Sequence, residues 1–213
     1  MSVLLQTDKD VCSTEMDQRK RIAIYGGTFD PVHSGHLEIG RRVSELFATD
    51  EFLFVPARVA PHKVGHEAAS AFDRYAMLAL ATKDDARLSV SRFELEGPGR
   101  QYTIDTLVHF RDSYGELVDL FFVMGADSWA EVTTWREWQR LVTLANLIVV
   151  TRPGHDIAPD GFADAASRIT DLRGAAKPAT VEIVGVGPQI FITDVVMIDV
   201  SASAIRRAVS EQA

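Results

Sequence analysis

Arg21-Ile22-Ala23-Ile24-Tyr25-Gly26-Gly27-Thr28-Phe29-Asp30-Pro31-Val32-His33-Ser34-Gly35-His36 is the stretch on which the fold is read. Residues 21–25 form a mainly apolar run that the paired glycines end, the pattern of a buried strand. Beyond it Leu37, Val43, Leu46 and Phe47 recur at roughly helical spacing across residues 35–48. Paired glycines let a backbone approach a phosphate without a Cβ in the way. A helix start adds N–H groups and a partial positive charge. His33 and His36 are three apart, so their imidazoles share one face of the first turn. Two donors there can meet one phosphoryl group where charge builds during transfer. A double glycine alone is most often a plain tight turn; the combination carries more.

Outward from this turn the chain alternates short apolar runs with helical stretches. Strands are expected at residues 51–55, 88–95, 118–124 and 146–150, with further ones at 181–184 and 195–198. Helices are expected at 71–83, 103–113 and 203–210, with short ones between 128 and 140. Residues 153–178 are polar and give no clear element. Alternation with near-continuous apolar strands predicts a parallel α/β sheet covered on both faces. Ligands on such sheets sit at the carboxyl ends of strands, so the residues just after strands hold the interest.

The chain has 213 residues, suited to one α/β domain over residues 21–213, with residues 1–20 as a flexible tail. The single Cys12 can form neither an internal disulfide nor a cysteine zinc site, which fits a reducing cytoplasm. The longest apolar runs fall short of a membrane span, and the opening residues lack a secretory pattern. A net charge of −8 argues against nucleic acid as a partner. It leaves room for a small phosphorylated substrate, and for a homo-oligomer.

Several other segments place polar groups after strands. In Val200-Ser201-Ala202-Ser203-Ala204-Ile205-Arg206-Arg207, Ser203 is a candidate N-cap and Arg206 projects from the first turn. Lys63, in the proline-bearing loop after residue 56, would be a point charge for a phosphate. Arg74 on the second helix has a surface ion pair as its competing reading. Gly125-Ala126-Asp127 closes the most apolar strand, and Trp135 follows; Trp129 and Trp138 lie near enough to compete for the same role. No cluster of Asp and Glu suggests a protein-held metal.

Residues 26–36 closely resemble the G-G-T-F-D-P-x-H-x-G-H signature of the nucleotidylyltransferase superfamily, in its nicotinate-nucleotide adenylyltransferase branch. Every fixed position of that signature matches. Residues 200–206 resemble the family's I-S-x-T-x-x-R element, with Val200 for Ile and Ser203 for Thr. Ala60-Pro61-His62-Lys63 resembles P-P-H-K, and Gln101-Tyr102-Thr103-Ile104-Asp105-Thr106-Leu107 resembles S-Y-T-x-x-T-L. Gly125-Ala126-Asp127 with Trp135, and Arg152-Pro153-Gly154, match further family elements in the same order.

The resemblance implies a Rossmann-like, doubly wound parallel sheet with a small C-terminal helical element. It implies adenylyl transfer from ATP to nicotinate mononucleotide, giving nicotinate adenine dinucleotide and pyrophosphate, with Mg²⁺ carried by ATP. By the same resemblance His33 and His36 are the catalytic pair. Gly26, Gly27, Thr28, Phe29, Arg152, Ser201, Ser203 and Arg206 would join them around ATP. Lys63, Arg74, Tyr102, Thr103, Gly125, Asp127 and Trp135 would hold the mononucleotide, Trp135 and Thr103 at the pyridine and Asp127 at the sugar. Phosphopantetheine adenylyl transfer and a non-catalytic nucleotide-binding module are the competing readings. A dehydrogenase is disfavoured because its glycine fingerprint is missing. Backbone N–H groups at the Tyr102-Thr103 helix start favour an acid over an amide on the ring, provided that no acidic side chain, Asp105 first of all, faces the pocket.

Overall fold

The computed structural model describes residues 19–59, 68–151, 168–174, 180–184, 187–196, 198 and 200–211. Strand β1 (Lys20–Gly27) leads through α1 (Ser34–Phe47) to β2 (Glu51–Pro56), and α2 (Ala71–Thr82) leads to β3 (Leu88–Val90). A one-turn α3 (Phe93–Glu96) and α4 (Thr103–Tyr114) return the chain to β4 (Val118–Gly125). Then follow α5 (Ala126–Ala130), a 3₁₀ turn (Val132–Thr134), α6 (Trp138–Leu144), β5 (Asn146–Val150), β6 (Ile169–Asp171), β7 (Ile190–Thr193) and α7 (Ala202–Ser210). All pairings are parallel, in the order β3-β2-β1-β4-β5-β7-β6.

The apolar runs are continuous because both faces are buried. Ile22, Ile24, Leu53, Val55, Phe122 and Leu147 point to the side covered by α4, α5 and α6, where Leu107, Trp129 and Leu141 meet them. Their neighbours Ala23, Tyr25, Phe52, Phe54, Val123 and Ile148 point to the side covered by α1 and α2, through Val43, Phe47 and Leu78. A strand with period-two side chains and two apolar faces reads as an unbroken run. The fold is thus the doubly wound α/β sheet expected, with α7 as the C-terminal helical element. Among the described residues no helix is long and apolar enough to cross a membrane.

The sheet edges depart from expectation. The strand expected over 88–95 stops at Val90, because Ser91 Oγ accepts the Phe93 N–H at 3.1 Å and starts α3. Residues 181–184 and the described residues of 195–198 do not form the expected strands; Val181 and Val196 are buried in the core as loop residues. Beyond β5 the sheet instead continues through the buried β7 to the short edge strand β6, whose Thr170 and Asp171 are exposed and give no apolar run to detect. Of the tail expected over residues 1–20, residues 1–18 lie outside the described residues, and Lys20 already belongs to β1.

Arg74 is not in the surface ion pair that is its competing reading. It is 1% exposed. Its Nε donates to the Ala69 carbonyl at 3.1 Å, Nη1 to Thr28 at 2.5 Å, and Nη2 to Ala57 at 2.6 Å. Thr28 follows β1 and Ala57 follows β2, so one guanidinium ties together the two loops that leave the central strands. Burial pushes its pKa below the usual arginine range, and the nearby Asp30 carboxylate opposes that shift. Arg74→Met is expected to cost about 3 kcal/mol in urea unfolding, since three carbonyls lose a buried donor at roughly 1 kcal/mol or more each. Arg74→Lys should recover only part, because an ammonium cannot span all three. A loss below about 1 kcal/mol for Arg74→Met would show that the guanidinium does not hold these loops.

Candidate active site

The sheet order reverses beside β1, whose neighbours are β2 and β4. The turn after β1 and the Gly125-to-Asp127 segment after β4 therefore flank the crevice at the carboxyl ends of the strands. Phe29 shapes the first turn. Its φ of 51° is in the left-handed region, uncommon for a bulky residue, and it is 3% exposed. Edge contacts to Tyr25 at 5.4 Å, Phe54 at 5.6 Å and His36 at 5.0 Å hold the ring there. A Cβ on Gly27 would stand 2.9 Å from the end of that ring, and one on Gly35 would stand 3.1 Å from the His33 imidazole. Both glycines therefore make room for side chains of the turn, whatever they also offer a ligand.

His33 is the N-cap of α1, in extended backbone, and its imidazole is buried. It stacks on His36 with ring centres 3.7 Å apart and 27° between planes. The His33 N–H donates to His36 Nδ1 at 3.3 Å. That bond fixes Nδ1 as an acceptor, so the neutral His36 ring carries its proton on Nε2. Both rings line one cleft with Gly26, Gly27, Thr28 and Phe29.

The second motif arrives at the same cleft from the far end of the chain. Its N-cap is Ser201, not Ser203: Ser201 Oγ accepts the Ala204 N–H at 3.2 Å and its carbonyl accepts Ile205 N–H. The cap moves two residues earlier because Ser201 is still extended, at φ −130° and ψ 145°, while Ala202 is already helical. Ser203, inside the first turn, accepts Arg206 Nη2 at 3.2 Å. Arg206 Nη1 donates to the Asp30 carbonyl, stitching the two motifs together. Arg206 lies on the cleft wall with Ser201 and Ser203, and Arg207 does not.

The crevice has two lobes. The first, of about 360 Å³, holds both motifs and also Gly125 and Asp127. The second, of about 570 Å³, lies beside Tyr102 and Thr103. Both share Gly26, Gly27, Thr28, Phe122, Ser128 and Trp135. Trp135 stands edge-on to Phe122 at 6.3 Å and walls both lobes, whereas Trp129 is buried in the core and Trp138 packs against it from α6. Lys63 and Arg152 lie outside the described residues.

At the second lobe Thr103 is the first residue of α4 and Tyr102 is its N-cap. Asp105 turns back to accept the Tyr102 N–H at 3.1 Å, so it serves the helix start rather than facing the pocket. Two other carboxyl groups do line this lobe, Glu94 and Glu131, so the condition on which the backbone preference for an acid depends is not met. Glu94 is buried, accepts Thr106 Oγ1 at 2.7 Å, and has its pKa pushed up mainly by burial. The sequence does not mark it out, since it lies in Phe93-Glu94-Leu95, which reads as strand. Arg100 and Arg136 also line the lobe; their only sequence signal is adjacency to the Tyr102 element and to Trp135. Among the described residues no group of three His, Cys, Asp or Glu stands together to hold a metal.

Comparison with known proteins agrees with this geometry. The cytidylyltransferase-like family model matches residues 24–208. A protein of Desulfatibacillum aliphaticivorans named "probable nicotinate-nucleotide adenylyltransferase" is 35% identical over 195 residues, 90% of this chain and 89% of its own. One of Corynebacterium glutamicum with the same name is 40% identical over 172 residues, 79% of this chain and 78% of its own. The Plasmodium falciparum nicotinic acid mononucleotide adenylyltransferase has a similar fold, with a TM-score of 0.62 at 18% identity, covering 88% of this chain and 83% of that one. The chain belongs to the cytidylyltransferase-like family and, within it, to the nicotinate-nucleotide adenylyltransferases.

Proposed function

We propose that the protein transfers the adenylyl group of ATP to nicotinate mononucleotide in the cytoplasm, giving nicotinate adenine dinucleotide and pyrophosphate. One observation carries this reading. Two phosphate motifs from opposite ends of the chain meet through Arg206 and the Asp30 carbonyl, in a lobe that continues past Trp135 into a second one. ATP fits the first lobe and the mononucleotide the second. The names of the relatives support the same substrates, and the Plasmodium falciparum enzyme of the same fold is complexed with NaAD in one structure and APC in another.

In the reaction a phosphate oxygen of the mononucleotide attacks the α-phosphorus of ATP. The new O–P bond forms as the bond to the α,β-bridging oxygen breaks, and pyrophosphate leaves with that electron pair. The attacking oxygen is already anionic at neutral pH, so no general base is required. His36 Nε2–H, set by the His33 bond to Nδ1, donates to the α-phosphoryl oxygens as charge grows. His33 supports it from the helix start, and Gly26 and Gly27 let the backbone approach. Arg206 and the α7 start, with Ser201 and Ser203, hold the β- and γ-phosphates; the family resemblance assigns Lys63 to a flanking phosphate and Arg152 to the ATP site. Asp127 meets the sugar, and Trp135 stacks on the pyridine beside Thr103. Mg²⁺ carried by the triphosphate would supply further charge neutralisation there.

Pyrophosphate release from Mg-ATP should depend on nicotinate mononucleotide as acceptor. Activity only with phosphopantetheine would overturn this reading, and none with any mononucleotide or phosphopantetheine would leave a binding module. His36→Ala is expected to lower kcat by about 10²–10³ with little change in the KM for ATP, the usual effect of losing one transition-state donor. A kcat within threefold of wild type removes His36 from the chemistry. Arg206→Ala should weaken ATP binding at least about tenfold, since a charge-assisted bond contributes roughly 1.5–3 kcal/mol. Arg207→Ala, about 100° around the helix, should not. Equal affinities of the two variants by calorimetry would refute the assignment of the second motif.

A further inference from the structure

We infer that Arg100 and Arg136 determine specificity in the second lobe, selecting an acceptor whose aromatic ring bears a negative charge over one whose substituent is neutral. The inference rests on the acceptor assignment above and adds two side chains to it. Tyr102 is 37% exposed at the start of α4. The Arg136 guanidinium lies 5.0 Å from the centre of its ring and that of Arg100 lies 5.5 Å from it. All three residues line the lobe that Trp135 and Thr103 also line. Each arginine is held by a cation–π contact to one tyrosine, so two like charges are gathered at the pocket that receives the ring.

The backbone alone is a weaker selector than the sequence suggests. The Tyr102 N–H is occupied by Asp105, which leaves the Thr103 and Ile104 N–H groups as the first-turn donors without a partner in the helix. The two guanidiniums add to that positive end. A carboxylate on the ring relieves their mutual repulsion and accepts from both; a carboxamide carries no charge to offset and presents an NH₂ to donors.

Glu94 and Glu131 on the lobe wall and Glu137 beside Arg136 oppose these charges. Glu137 pairs with Arg136 Nε at 3.7 Å, but Arg140 holds the same carboxylate at 3.2 Å. Both contacts are exposed and therefore weak. Glu94 is turned to Thr106, and burial favours its neutral form. Glu131 is the exposed carboxylate on the lobe wall, and it works against the arginines.

The test is kcat/KM for nicotinate mononucleotide and for its amide in wild type, Arg100→Gln, Arg136→Gln, the double variant and Glu131→Gln. Each arginine substitution is expected to lower the acid-to-amide ratio about 5-fold, the upper range for an exposed charge pair. The double variant should lower it about 20-fold, with the KM for ATP and the thermal midpoint unchanged. Glu131→Gln should move the ratio the other way, and added salt should narrow it in wild type but not in the double variant. A double variant that keeps the wild-type ratio within twofold overturns the inference. So does a wild type that treats the two alike or prefers the amide, with adenylyl transfer left standing. Failure of wild type with both mononucleotides instead refutes the acceptor assignment itself.

Discussion

β1 has a parallel neighbour on each side, β2 and β4. The chain leaving the carboxyl end of β1 turns to α1 on one face, the chain leaving β4 turns to α5 and α6 on the other, and the space between them is filled by neither. That divergence makes the crevice, and every other feature of the site depends on it. The turn after β1 forms its floor, the segment after β4 one side, and α7 reaches it only because the sheet continues through β5 and β7. The crevice exists whether or not any one side chain in it is functional, which is why folds of this kind host many chemistries.

Within that space, position is fixed mainly by packing and hydrogen bonds to the backbone. The left-handed Phe29 is held by three ring contacts, and its ring in turn requires glycine at position 27. Arg74 joins the exits of β1 and β2 from behind, using neutral carbonyls and the field of Asp30 to offset the cost of burying a guanidinium. Arg206 does the corresponding work in front, between residues 176 positions apart. Each joins backbone segments that the sheet alone does not connect, and together they hold the two cleft-lining motifs in place.

The two lobes differ in how they present charge. In the first, positive character comes from helix starts, imidazoles and one tethered arginine, all oriented by hydrogen bonds. In the second, exposed guanidiniums rest on an aromatic ring and a buried carboxyl is tied to a hydroxyl. The first arrangement suits a fixed phosphoryl geometry. The second suits discrimination by charge, which tolerates a looser fit and is more sensitive to salt.

The sequence by itself determined the layered α/β fold, the central strands and the order of the motifs, because these rest on local periodicity and on contiguous residues. It also separated Arg206 from Arg207, since helical geometry fixes their directions within one turn. It did not show the sheet edges, where β6 has no apolar run and where Val181 and Val196 are apolar for packing rather than for pairing. Nor could it choose among three tryptophans, place Arg74 in the interior, or find Glu94, Arg100 and Arg136 at one pocket. Those outcomes depend on which chain segments, distant in sequence, come to face each other. Only the tertiary structure decides that, because burial and charge at a site belong to the neighbours a side chain meets and not to the residue itself.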